Sequence, residues 1–320
     1  MKQELVNNPP LARLQRFFGA IGGMAPHKQV ALMATLNHRH IIRRHVAGKR
    51  LAGRGIEIGA QFLPTIAPDH PHARVEYLDR LSSEELSRRY GMPLESLVPV
   101  SHIADASNLS LFRDSELDFL IAHHVLEHFD DPIGGMLEWL RVLRPGGRLF
   151  ITLPNRLGNE YDFERPLIDI AHLKADHTDP AHRAAGNLLH YQDFVRYCEV
   201  PPEDWRFEPR VKNLMEIDER IHFHVFEIGL LSQLLQETEK LANLRLGVVD
   251  QFFLPGCYEL SLVLEKDGKG RSLPLKPGWR LGYNALLLAL LAYPQVGRRL
   301  HRIQRHLSGA SVRRRATRTL

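Results

Sequence analysis

From Arg54 onward, short apolar runs alternate with amphipathic stretches, the pattern of a parallel sheet whose strands are joined by helical crossovers. The runs predict strands at 55–59, 74–78, 97–104, 119–122 and 148–153, and helices at 83–90 and 132–143. The alternation stops over residues 155–222, a stretch rich in His, Asp, Arg and Pro without a sustained period, which predicts an inserted cap. A helix resumes over 225–241. Two strand-like runs, 244–253 and 257–265, flank Leu254-Pro255-Gly256 and predict an antiparallel hairpin. Ahead of the sheet, Leu11, Leu14, Phe17 and Phe18 share one helical face, and a second helical run over 27–46 ends near Gly48. The expected organisation is a helical lead-in over 1–50, an α/β domain over 51–267 with its cap at about 155–222, and a tail over 268–320.

Composition narrows the class. With 320 residues, 44% of them hydrophobic, the chain is long enough to bury an enzyme-sized core. Its two cysteines, Cys198 and Cys257, are too few for a disulfide scaffold or a four-thiolate metal site and fit a reducing cytoplasm. The run from Phe17 to Met24, after Arg13 and Arg16, holds three glycines and no leucine, so no export is expected. The longest apolar stretch, 285–293, is far short of the ~20 residues that span a bilayer.

The formal charge of +5 is unevenly placed: twelve of the 42 basic residues and none of the 37 acidic ones follow Asp267, leaving −7 on residues 1–267. The high pI therefore belongs to the tail. Leu300, Ile303 and Leu307 line one face there with arginines around them, a pattern suited to an anionic membrane surface at the inner face, or to a core helix with a solvated end. Nucleic acid is not expected as a partner, because no aromatic residues alternate with the arginines.

Candidate chemistry gathers where the predicted strands end. The first ends in Gly55-Ile56-Glu57-Ile58-Gly59-Ala60, a carboxylate followed by a glycine where the chain turns past a ligand. The second ends at Asp79, 22 residues after Glu57, where an acid can accept both hydroxyl hydrogens of a ribose. The third ends in Ala104-Asp105-Ala106, an acid placed for an exocyclic adenine amine beside a side chain small enough to admit the ring. The fourth runs into His123-His124-Val125-Leu126-Glu127-His128, residues expected to shape a pocket wall. Arg144-Pro145-Gly146-Gly147 then stops a helix and turns into strand five.

In this order of motifs the chain resembles the class I S-adenosylmethionine-dependent methyltransferases over roughly 50–155 and 225–265. The resemblance implies a Rossmann-like seven-stranded sheet with an antiparallel last strand, and S-adenosylmethionine as cofactor. It places Glu57 and Gly59 at the methionine end, Asp79 at the ribose, Asp105 and Ala106 at the adenine, and His123 beside the sulfonium. One departure stands out: Gln61 occupies the second glycine position of the family's glycine loop, which predicts a different loop path. A subset found with glycan-assembly enzymes resembles this chain in the altered loop, in Tyr161-Asp162-Phe163-Glu164-Arg165-Pro166 and in His222-Phe223-His224-Val225. That narrower resemblance implies a sugar hydroxyl acceptor in surface-polysaccharide biosynthesis.

Methylating a hydroxyl requires a base near the reacting oxygen. The insertion offers Asp162, Asp169, His172, Asp176, His177, His182, His190, His222 and His224. Asp162, Arg165, His172, His222 and His224 form the expected catalytic set, since they lie at the two junctions that should face the cofactor. His222-x-His224 would put both imidazoles on one face of a strand, and His172, Asp176 and His177 add further metal donors, but no thiolate lies nearby in sequence, no fixed three- or four-ligand pattern can be traced, and no metal is assigned. A cofactor-binding scaffold without turnover and a dinucleotide-dependent oxidoreductase are the rival readings. The second would expect glycines where Ala60 to Leu63 stand.

Overall fold

The structure, a computed structural model, describes residues 40, 42–159, 162–252 and 259–275. By contact the chain divides into two units. Val46–Arg88 and Met92–Trp279 hold the sheet and the candidate site. The other unit, Met1–His45, Arg89–Gly91 and Arg280–Leu320, lies almost entirely outside the described residues. Of the expected lead-in, residues 42–50 are helical and most of the rest falls outside the description, as do the tail from 276 on and the turn Leu254-Pro255-Gly256. Among the described residues, no helix is long and apolar enough to cross a membrane.

Seven strands form one sheet: β1 Gly53–Ile58, β2 Ala73–Asp79, β3 His102–Ile103, β4 Leu117–His123, β5 Leu143–Pro154, β6 Leu246–Phe252 and β7 Glu259–Lys266. Their order is β3-β2-β1-β4-β5-β7-β6. The first five are parallel, and β7 runs antiparallel to both β5 and β6. This is the α/β, Rossmann-like architecture expected above, including its antiparallel last strand. The central strands are buried on both faces, so Ile56, Leu120, Ile121, Phe150 and Ile151 carry an almost continuous apolar pattern rather than an alternating one.

Helices occur where apolar spacing and a cap coincide. Helix α1 spans Ser83–Tyr90. Helix α2, Pro132–Val142, starts on Asp131, whose side chain accepts from the Gly134 N–H, with proline at its first position, and it buries Ile133, Met136, Trp139 and Leu140. In the insertion, α3 (Ile170–Thr178) is capped by Asp169 and α4 (Pro180–Cys198) by Asp179, while α5 covers Phe207–Glu216. The stretch without apparent period is thus three helices. Their apolar residues are few, and Tyr191, Val195, Phe207, Val211, Leu214, Ile221 and Phe223 form a small cluster apart from the main core. Helix α6, Ile228–Ala242, ends at Asn243 in the left-handed conformation and contacts α2.

Two expected elements change. The third strand shrinks from 97–104 to His102–Ile103, because Pro99 has no N–H and the neighbouring groups bond singly elsewhere: Val98 N to Gln61 O, Val100 N to Ser83 Oγ and Ser101 N to Tyr77 O. The helix expected from 225 begins at Ile228, since Asn155 and Phe226 form a bridge first.

Trp139 links this core to the rim: its Nε1 donates to Ala106 O at 2.8 Å from a fully buried ring. Replacing Trp139→Phe leaves that carbonyl without its partner, and the variant should lose about 1–3 kcal/mol of stability in urea unfolding.

Candidate active site

Parallel register decides where the predicted cofactor residues go. Ile58 pairs with both Leu78 and Ala122, and Asp79 pairs with Ile103, so the chain leaves β1, β2, β3 and β4 at one rim. Gly59, Asp79, Asp105, Ala106 and His123 all follow or end these strands, and the structure brings them to that rim. Gly59 has φ +67° with open space where a Cβ would stand. Gln61 also has positive φ, at 51°. The loop therefore keeps the left-handed backbone that a glycine would supply there, at a cost of about 1 kcal/mol for a larger residue.

Glu57 is buried and accepts from Thr65 N at 2.8 and 3.0 Å and from Ile66 N at 3.3 Å. Tyr77 Oη donates to Ile66 O at 2.7 Å. Glu57 thus braces the loop after β1 from below, a positioning role that its placement at the methionine end did not anticipate. Asp79 is half-buried, and its Oδ1 accepts from Leu81 N. Asp105 Oδ1 accepts from Ser107 N and Oγ at 2.9 and 2.7 Å, and its Oδ2 pairs with Arg220 at 3.1 Å. Burial opposes its charge, but the bonds from Ser107 and the charges of Arg220 and Arg80 outweigh burial and hold its pKa below the usual carboxylate value. His123 Nδ1 lies 2.9 Å from Thr152 Oγ1, and its ring stands edge-on to Phe150.

The rim suits an adenosyl group. Two carboxylates stand at the ends of β2 and β3, small Ala106 follows Asp105, and apolar Ile103, at the end of β3, is 63% exposed, surface that a purine ring would cover.

Sequence reasoning missed a strap over 218–224. Asp218 pairs with Arg80 at 2.9 Å, Arg220 with Asp105, and the carbonyls of Arg220 and Ile221 accept from His128 Nδ1 at 2.9 Å. Phe223 N donates to Glu127 O. One segment therefore touches the loops after β2, β3 and β4. Arg220 and Asp218 sit in a stretch without periodicity, and only contacts distant in sequence give them meaning.

The strap carries His222 to a buried ion pair. His222 Nδ1 donates to Asp162 Oδ2 at 2.9 Å, Asn159 Nδ2 donates to the same oxygen at 2.7 Å, and Arg165 Nη1 reaches Asp162 Oδ1 at 3.2 Å. His222 Nε2 lies 4.0 Å from Glu127 Oε1. Burial raises the Asp162 pKa, but the hydrogen bond and charge of His222, with Arg165, outweigh it and leave the value below normal. Glu127 is fully buried, and burial likewise yields to His124, His128 and His222, which hold it ionised.

The expected catalytic set does not stay together. Asp162, Arg165 and His222 form one group. His172 and His224 join Asp176 and His190 in another, and His224 is fully buried, away from any acceptor. The single-face expectation for His222 and His224 fails because residues 221–225 pair in no ladder, so the two imidazoles take different partners. Asp169 caps a helix, and His177 pairs with Asp131.

The geometry can then be set beside known proteins. Residues 78–151 match the family described as "Methyltransferase domain". That match spans the chain from the end of β2 to β5, and it supports S-adenosylmethionine as the cofactor. A comparison with curated protein sequences gives no match. Among solved structures, the chain is similar to a SAM-dependent methyltransferase, a possible histamine N-methyltransferase, from Thermotoga maritima, with 16% identity, 74% of this chain and 94% of that chain covered, and a TM-score of 0.38. An O-methyltransferase family protein from Burkholderia thailandensis gives 12% identity, 76% and 58% coverage and a TM-score of 0.39. The plantazolicin methyltransferase BamL, in complex with a desmethyl analogue and SAH, gives 12% identity, 75% and 91% coverage and 0.39.

His124 lies between Glu127 Oε1 at 3.3 Å and Glu259 Oε1 at 3.1 Å. Burial works against its positive form, but the two carboxylates push its pKa from 6.5 up to about 9. Its contribution to stability is complete below about pH 6.5 and is lost as pH rises through about 9. Thermal melting followed across that window should show a falling midpoint, and His124→Gln should flatten the fall.

Proposed function

We propose that this protein transfers a methyl group from S-adenosylmethionine to a sugar hydroxyl in surface-polysaccharide biosynthesis, with His222 as general base. The observation that supports the chemistry is the Asp162–His222 pair: the carboxylate accepts the hydrogen bond from Nδ1, which leaves Nε2 as the proton-accepting nitrogen. His222 is 19% exposed and the strap ties it to the loop after β4, at the rim where the cofactor residues gather. The acceptor class rests on the resemblance of the altered loop and of the segments around Asp162 and His222.

When bound, the cofactor supplies an electrophilic methyl on a sulfonium. Asp79 is assigned to the ribose hydroxyls, Asp105 and Ala106 to the adenine, and Gly59 to the close pass of the methionine end. His222 Nε2 removes the acceptor proton as the new carbon–oxygen bond forms and the carbon–sulfur bond breaks. Asp162 then steadies the resulting imidazolium, and Arg165 and Asn159 keep Asp162 in place. The products are a methyl ether, S-adenosylhomocysteine and a proton carried by His222. Gln61, the departure that favours a cofactor-binding scaffold without turnover, sits at φ 51°, the left-handed backbone that a glycine would adopt there.

Labelled cofactor incubated with fractionated lysate should place methyl label in lipid-linked sugars and release S-adenosylhomocysteine. Label confined to protein or nucleic acid overturns the acceptor, and cofactor binding without turnover in any fraction overturns the activity. Asp162→Asn and His222→Gln should each lower kcat by ~10²–10⁴ with little change in cofactor affinity. Asp79→Ala should instead weaken cofactor binding in calorimetry by about tenfold to a hundredfold, as expected for the loss of a charged hydrogen-bond partner.

A further inference from the structure

We infer that His172, Asp176, His190 and His224 bind one divalent transition-metal ion, with zinc the best-suited, in a closed site that fastens the insertion to the catalytic strap. The four residues come from three separate pieces of chain: His172 and Asp176 one turn apart on α3, His190 on α4, and His224 on the strap. Each offers one ligand atom, and all of these atoms lie within 4.8 Å of one another. His172 Nε2 is 3.0 Å from Asp176 Oδ2 and 3.3 Å from His190 Nε2, and His224 Nε2 is 3.2 Å from Asp176 Oδ2. Tetrahedral zinc with bonds of about 2.0–2.1 Å separates its ligand atoms by about 3.3 Å, so these three contacts match three of the six edges of such a polyhedron, and the other separations stay within 4.8 Å.

Hydrogen bonds alone satisfy the group poorly. His224 Nδ1 faces the carbonyl oxygen of Phe129 at 3.0 Å, which only a proton on Nδ1 can satisfy. A neutral His224 then turns the lone pair of Nε2 toward a carboxylate oxygen that also has only lone pairs. His172 Nε2 faces both Asp176 and His190, and with one proton it cannot donate fully to each. A proton-only arrangement needs either an imidazolium on His224, which is fully buried, or a protonated carboxyl on the equally buried Asp176. One cation among the four atoms accepts every lone pair while all three imidazoles stay neutral.

The surroundings resemble the supports of metal ligands. The Phe129 carbonyl fixes the His224 tautomer, and His182 Nδ1 holds the second Asp176 oxygen at 3.0 Å. Three imidazoles and one carboxylate favour zinc or its neighbours over calcium or magnesium, and four protein ligands make the site structural rather than catalytic. Its effect on the reaction is indirect: His224 is two residues from His222, so the ion holds the strap in register.

The test uses the full-length protein, stripped with chelator and titrated with Zn²⁺ or Co²⁺ in calorimetry, with melting followed in parallel. One ion per chain is expected, with a rise in melting temperature and, for Co²⁺, the visible absorption of a tetrahedral complex. Asp176→Asn and His190→Gln should weaken binding by more than about tenfold and abolish the metal-dependent rise, while both still melt cooperatively. His128→Gln, outside the four ligands, should bind as the parent does. Failure of the parent protein to bind either ion overturns the inference. So does binding that survives in Asp176→Asn and His190→Gln but disappears in His128→Gln, which would move the ion to Glu127, His128 and His222. None of these readouts depends on the acceptor or on turnover.

Discussion

Everything at the rim depends on the parallel pairing of β1 with β2 and β4. A parallel strand cannot follow its neighbour through a tight turn, so each crossover returns the chain to the same end of the sheet and every strand delivers its carboxyl end to one side. The register Ile58–Leu78, Ile58–Ala122 and Asp79–Ile103 then sets Gly59, Asp79, Asp105 and His123 beside one another, although 64 residues of sequence separate the first from the last. A slip of one residue in β2 would turn Asp79 to the other face of the sheet. The apolar burial of Tyr77 and Leu78 resists that slip, so packing in the core fixes the chemistry at the edge.

The insertion uses a different logic. It has little apolar surface, and its buried charges need partners supplied across long sequence distances. Asp162 is met by His222, and Arg220 of the insertion reaches Asp105 in the loop after β3. Removing one member of such a pair leaves a charge without compensation in a poorly solvated place, so the strap is held in one position rather than merely attracted to the surface. The segment that positions His222 also carries the arginine that pairs with Asp105, so the two pairs belong to one network.

How much of this was legible follows from which physical signals are local. The apolar runs of β1, β2, β4 and β5 and the cap and proline at the start of α2 are short-range features, and the sheet followed from them; β5 begins at Leu143, ahead of the glycine pair expected to turn into it. Asp79 and Asp105 stand out in the sequence because each closes a strand-like run. The third strand was overextended because Val98 and Val100 look like strand residues, whereas single bonds to Gln61 and Ser83 claim their N–H groups. The insertion was opaque for a related reason. Its helices bury His190, Asp176 and Gly186 along with a few apolar residues, so the hydrophobic period that announces a helix is missing.

The division of the insertion's histidines into two groups follows from the same economy of partners. His222 keeps part of its surface open and has a carboxylate behind Nδ1, with Glu127 Oε1 4.0 Å from its Nε2. His224 has a backbone carbonyl behind Nδ1 and a carboxylate before Nε2, with no path to solvent. Two residues apart on one extended segment, they face different electrostatic settings, and the chemistry open to each differs accordingly. A spacing such as His-x-His therefore records that two imidazoles travel on one strap, while the groups facing that strap give one a carboxylate partner at Nδ1 and confine the other to a buried cluster.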